Sequence, residues 1–183
     1  MKSQTIILMC LALAGLFSSE IVAQPTEQGG KEKMKAFDAW AGKWHGEGTI
    51  QMGPGEPKKT TVEETIEFKL DGMILLVEGI GRSPDLQTSE NKIVHHALAI
   101  LSYEQATNVY KFNTYLKDGK SAQAWFNIVK ENNYQWGFDV PGGKIKYSIT
   151  IHSGNLWNEV GEFSRDNGLT WMKYFEMNLK KEN

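Results

Sequence analysis

The sequence predicts an all-β fold: an antiparallel up-and-down barrel of about ten strands, preceded by a short N-terminal helix. Three observations point there. From Gly42 onward, strand-like runs recur and no second helical pattern appears. Short turn signals, Asp71-Gly72, Asp118-Gly119, Pro141-Gly142 and Ser153-Gly154, separate successive runs. Such connections are too short for parallel crossovers. A ten-strand meander also exposes long edges unless it closes, which favours a barrel over an open sheet.

Residues 1–23 read as an export signal. Lys2 supplies the positive start, Ile6 to Phe17 is a short apolar run, and Ile21-Val22-Ala23 precedes Gln24 as a small-residue cleavage site. The apolar run is too short for a membrane span. Cys10 does not fit a lipoprotein signal, because Met9 precedes it where a small residue is wanted. Cleavage leaves residues 24–183, a single domain's length, with no cysteine. That excludes disulfides, a thiol nucleophile and cysteine metal sites. The signal carries Lys2 and Glu20, so the formal net charge stays at -2. A near-neutral balance argues against nucleic acid as a partner. The expected location is periplasmic or extracellular, with no membrane span after cleavage.

Residues 24–41 form the lead. Pro25 to Lys35 is polar with a Gly29-Gly30 break and reads as flexible. Met34, Phe37 and Trp40 at helical spacing predict a short amphipathic helix over Lys31–Trp40 that packs on or plugs one barrel end. The barrel domain, 42–183, opens with Gly42-Lys43-Trp44-His45-Gly46-Glu47-Gly48. Trp44 is an apolar anchor, and alternate glycines leave one strand face bare. The predicted strands are Lys43–Gln51, Lys59–Leu70, Met73–Arg82, Lys92–Tyr103, Val109–Lys117, Ser121–Lys130, Asn133–Val140, Lys144–His152, Leu156–Ser164 and Thr170–Leu179.

Gly42-x-Trp44 resembles the G-x-W that opens lipocalins. Gly42-x-Trp44-x-Gly46-x-Gly48 is similar to the first strand of nitrobindin-type barrels. The chain from there to Glu176-Met177-Asn178 most resembles a family of uncharacterised secreted bacterial proteins grouped with the calycin-like barrels. The resemblance implies a fold and brings no activity. Nitrobindin-like barrels hold haem through a histidine on a late strand. After His152 this chain has none, so no cofactor, haem included, is expected.

Turn lengths set which side chains face inward. Two-residue turns at Asp71-Gly72 and Pro141-Gly142 place Val62, Glu64, Ile66, Phe68 and Leu70 with Met73, Leu75, Val77 and Gly79, and set Trp136 beside Tyr147. Two-residue loops at Asp118-Gly119, Glu131-Asn132 and Ser153-Gly154 then add Gln123, Trp125, Asn127, Val129, Leu156, Asn158, Val160 and Glu162. An aromatic interior with a few polar groups suits a ligand cavity. The expected ligand residues are Glu64, Trp125, Asn127, Trp136, Tyr147, Asn158 and Glu162.

Other chemistry is thinly represented. His95 and His96 point to opposite faces of one strand, so no metal site is expected. Nucleotide-binding, serine-hydrolase and zinc-protease motifs are missing. No catalytic residue is assigned, although Glu64 and Glu162 form a candidate acid–base pair. Ser164-x-Asp166-x-Gly168-x-Thr170-Trp171 looks like the Asp-box hairpin repeated in sialidase propellers. A single copy reads as a stable turn. The leading expectation is an exported barrel that binds a small, partly apolar molecule. The alternatives are an enzyme using cavity carboxylates and a non-catalytic envelope module with a filled barrel.

Overall fold

The computed structural model describes residues 27–84 and 91–182. The export-signal reading falls outside the described residues. Helix α1 (Glu27–Met34) is followed by a 3-10 turn (Lys35–Phe37). Ten strands follow: β1 (Gly42–Ile50), β2 (Lys58–Lys69), β3 (Ile74–Pro84), β4 (Asn91–Glu104) and β5 (Val109–Leu116). Then come β6 (Ser121–Lys130), β7 (Asn133–Val140), β8 (Gly143–His152), β9 (Leu156–Ser164) and β10 (Met172–Lys181). Each strand pairs antiparallel with the next, and β10 closes on β1 from Trp44↔Lys181 to Ile50↔Phe175. Closure leaves no unpaired edge, as the meander required.

The helix begins earlier than expected and takes in Gly29-Gly30. An ion pair from Lys31 to Glu27, 2.6 Å long and one helical turn apart, supports it. Gly30 has a packing reason, since a Cβ there would lie 2.8 Å from Met73 Cε. The helix meets the barrel here.

One barrel end is filled. Phe37, Trp40, Trp44 and Trp157 are almost wholly buried. Phe37 lies 5.3 to 5.6 Å, ring centre to ring centre, from Tyr110, Trp40, Tyr134 and Phe126. Trp44 Nε1 donates to the Trp40 carbonyl at 2.7 Å. Tyr134 Oη donates to Ala36 O at 2.8 Å, and Tyr110 Oη to Lys33 O at 3.0 Å. Burying each such aromatic contributes roughly 1.5–3 kcal/mol. The plug therefore belongs to the core, with Trp44 at the helix-covered end as its strand position suggested.

Turn geometry decides which expectations about facing hold. Asp71 and Gly72 both take positive φ and hold β2 and β3 in the predicted register. Leu70, expected inside, leaves the ladder and is 71% exposed. Pro141-Gly142 also gives the predicted pairs, Trp136↔Tyr147 among them. At β5–β6 the loop has three residues, Lys117-Asp118-Gly119. Gly119 N–H donates to Leu116 O at 2.9 Å, and Leu116 N–H donates to Lys120 O at 2.8 Å. At the far end of β6 the Glu131-Asn132 loop is two residues long, but the ladder slips one residue between Ile128 and Lys130. Both offsets turn β6 over, so Ala124, Phe126 and Ile128 face inward. A three-residue loop, Ser153-Gly154-Asn155, turns β9 over in the same way.

Candidate functional site in the barrel interior

The interior beyond the plug is built from strand positions that face one another. Tyr147 on β8 lies opposite Trp136 on β7, and the two rings stack with centroids 4.1 Å apart and planes 13° apart. On its other side Tyr147 faces Gly161 of β9. A Cβ on Gly161 would come within 2.8 Å of the Tyr147 ring, so the glycine makes room for that stack. Tyr147 Oη also hydrogen-bonds Tyr174 Oη. Phe112 and Phe175 complete the aromatic wall, 5.0 Å from Trp136 and 6.0 Å from Tyr147.

Two carboxyl groups face this wall. Glu159 follows Trp157 along the inner face of β9. Trp136 Nε1 donates to its Oε1 at 3.0 Å and Trp157 Nε1 to its Oε2 at 3.4 Å. Glu64, on β2, lies opposite Gly79 of β3. A Cβ on Gly79 would lie 2.6 Å from Glu64 Oε1, so the carboxyl occupies the space a side chain would fill. Among the described residues, no hydrogen bond reaches the Glu64 carboxyl. On β1, Trp44 lies opposite Glu64, and the next inner positions, Gly46 and Gly48, lie opposite Val62 and Thr60.

Glu64 is enclosed by protein, yet a water-sized sphere still touches it. The same holds in part for Trp136, Phe138 and Tyr147 on the inner face. Burial pushes the Glu64 carboxyl up to about 8, and the charge of Glu159 pushes the same way. Burial also raises Glu159 to about 7, against the pull of its two indole donors. Burial holds Tyr147 well above the usual phenol range.

Of the predicted ligand residues, the structure brings Glu64, Trp136 and Tyr147 together inside. The other four face outward, for the register reasons above. Trp125 is 41% exposed and lies across Gly137 on the outer surface. Asn127 shares that outer face of β6. Asn158 Nδ2 donates to Asn178 Oδ1 at 3.0 Å on the outside. Glu162 pairs with Lys146 at 2.8 Å, and that ammonium sits 4.3 Å from the Trp171 ring centre. Glu64 and Glu162 thus lie on opposite sides of the wall and form no pair. Glu159, missed from sequence, takes that place. The alternation Trp157-x-Glu159-x-Gly161 was its available signal, since it sets the largest residue of β9 inside.

The Asp-box turn forms as expected. Ser164 Oγ donates to Asp166 Oδ1 at 2.8 Å, Thr170 N–H to the same oxygen at 2.8 Å, and Gly168 N–H to Ser164 Oγ at 2.7 Å. Trp171 Nε1 donates to Gly168 O at 3.0 Å. These bonds, those of Thr170 first, hold the Asp166 carboxyl at about 2.

Of the four histidines, His95 faces inward, opposite Gly81 and toward the open end, while His96 points out to Glu78 at 2.8 Å. The described part of β7–β10 carries no inward histidine. Among the described residues, no three metal-ligating side chains converge. Two hollows open at the surface, one in the β1–β2 connection at Ile50–Lys58 and one on the outer face over β1 and β10.

Comparison with solved structures agrees with the fold. The chain superposes on the crystal structure of Rv2717c from M. tuberculosis with a TM-score of 0.59 and 11% identity, covering 82% of this chain and 97% of that one. It superposes on the S-type phycobiliprotein lyase CPES from Guillardia theta with a TM-score of 0.55 and 10% identity, covering 87% of this chain and 99% of that one. The fold is a lipocalin-like calycin barrel. At such identities the likeness shows the fold alone. No family model and no curated protein matches the sequence. Among the described residues, no helix is long and apolar enough to cross a membrane.

Proposed function

We propose that the barrel binds a small, partly apolar molecule in the space between Glu64, Glu159 and the Trp136–Tyr147 stack. The observation that carries this reading is Glu64: an enclosed but not fully covered carboxyl with no hydrogen bond among the described residues, set in an aromatic interior. A buried polar group without a partner costs stability, and a ligand removes that cost by supplying one. That one protein of this shape is a phycobiliprotein lyase supports a barrel with work to do. The filled-barrel alternative accounts for the plugged end but not for Glu64. The sequence of residues 1–23 supports export to the periplasm or beyond.

A second reading is favoured by the same pair. Two carboxyls that titrate near neutrality and feel one another's charge suit acid–base catalysis, with Glu64 holding its proton and Glu159 poised to lose one. Native mass spectrometry tests the binding proposal. Protein purified without denaturation is expected to carry a small molecule that is lost on unfolding. A bare mass, from protein that also fails to bind small aromatic probes, would sink it.

A further inference from the structure

We propose that the ligand is a small organic cation, an ammonium carried on an apolar or aromatic body. Its charge sits between Glu64 and Glu159, and its body lies against the Trp136–Tyr147 stack. This inference rests on the binding proposal and narrows it to one ligand class.

The argument is an inventory of donors and acceptors around the space. The indole N–H groups of Trp136 and Trp157 are already given to Glu159. The hydroxyls of Tyr147 and Tyr174 are bonded to each other. Three of these four donors are therefore committed, since the tyrosine pair uses one of its two hydroxyl protons. The acceptors are not: among the described residues, both Glu64 oxygens lack a hydrogen bond, and each Glu159 oxygen keeps capacity beyond its single donor.

The charges point the same way. Among the described residues, no ion pair joins a Lys or Arg to either glutamate; Lys146 and Lys173 pair with Glu162 and Glu176, and Lys181 sits over the Trp44 ring. His95, toward the mouth, is held below the usual histidine range by burial and by His96. The remaining wall consists of aromatic faces, whose negative quadrupoles also attract cations. A guest bringing donors and positive charge pairs both carboxyls and favours their ionised form over the protonated form Glu64 holds when empty. An anion would meet two carboxyls, and a neutral apolar guest would leave Glu64 unpartnered.

The test uses three probes of one shape: phenethylamine, 2-phenylethanol and phenylacetate, titrated into the purified protein by calorimetry. The amine is expected to bind about tenfold more tightly than the alcohol, and phenylacetate more weakly than either. Glu64→Gln keeps shape and removes the carboxylate that a bound ammonium would stabilise. It should bring the amine down to the level of the alcohol in the same variant, with circular dichroism confirming the fold. If the alcohol binds as tightly as the amine, or the amine keeps its preference in Glu64→Gln, the cation inference fails while the cavity stands. If none of the three binds, the cavity reading fails with it.

Discussion

Glu64 makes stability depend on pH in a direction opposite to most surface acids. Its carboxyl titrates near 4.5 when unfolded and at about 8 when folded. Across that interval the folded state holds the proton more tightly. Stability is therefore full below 4.5 and is lost as pH rises through about 8. Glu159, at about 7, adds to the loss over the lower part of the same window. Asp166 has the opposite sign. Its folded value of about 2 lies below its ordinary 3.8, so its contribution is lost as pH falls between those values. The wild-type melting temperature is thus expected to fall between about pH 5 and about pH 8.5. Glu64→Gln should melt with the wild type at the acid end and above it at the alkaline end. Thermal scans in which the two differ equally at both pH values would contradict this account of Glu64.

At the scale of the element, β1 closes the barrel because its glycines allow close approach. A Cβ on Gly46 would lie 2.0 Å from the Asn178 carbonyl oxygen and 2.9 Å from Leu179 Cα, both backbone atoms of β10. A Cβ on Gly48 would crowd the side chains of Thr60 and Val62, at 3.1 Å, with Met177 Cβ at an ordinary 3.7 Å. Gly46→Ala must push apart the pair of strands that completes the sheet, whereas Gly48→Ala asks two side chains to yield. In urea unfolding, Gly46→Ala is expected to cost about 3 kcal/mol or more and Gly48→Ala about 1 kcal/mol or less. The reverse order would show that closure does not depend on Gly46.

Hairpins explain which parts of the site were legible from sequence. Asp71-Gly72 and Pro141-Gly142 are two-residue turns whose chemistry specifies their length, so Glu64, Trp136 and Tyr147 were placed correctly. Asp118-Gly119 and Ser153-Gly154 carry the same dipeptide signals inside three-residue loops. In the second loop Asn155 also takes positive φ. One additional residue exchanges the two faces of a strand, which moved Trp125, Asn127, Asn158 and Glu162 outside and brought Glu159 in. The slip within β6, between Ile128 and Lys130, has no comparable sequence mark. The predicted helix erred differently. Gly29-Gly30 read as a break, but tertiary packing under Met73 favours glycine within α1.

For the whole molecule, strand number and closure followed from turn spacing and the cost of open edges. Its interior is asymmetric: an aromatic plug fills one end, and two carboxyls without a cationic partner among the described residues face the space beyond it. Carbon-13 NMR of the glutamate carboxyls tests that central claim most directly. Two resonances are expected to titrate well above the rest, near 7 and near 8, and both to shift when phenethylamine is added. If every glutamate titrates in the ordinary range around 4.5, the carboxyls are not enclosed together and the proposed site does not exist.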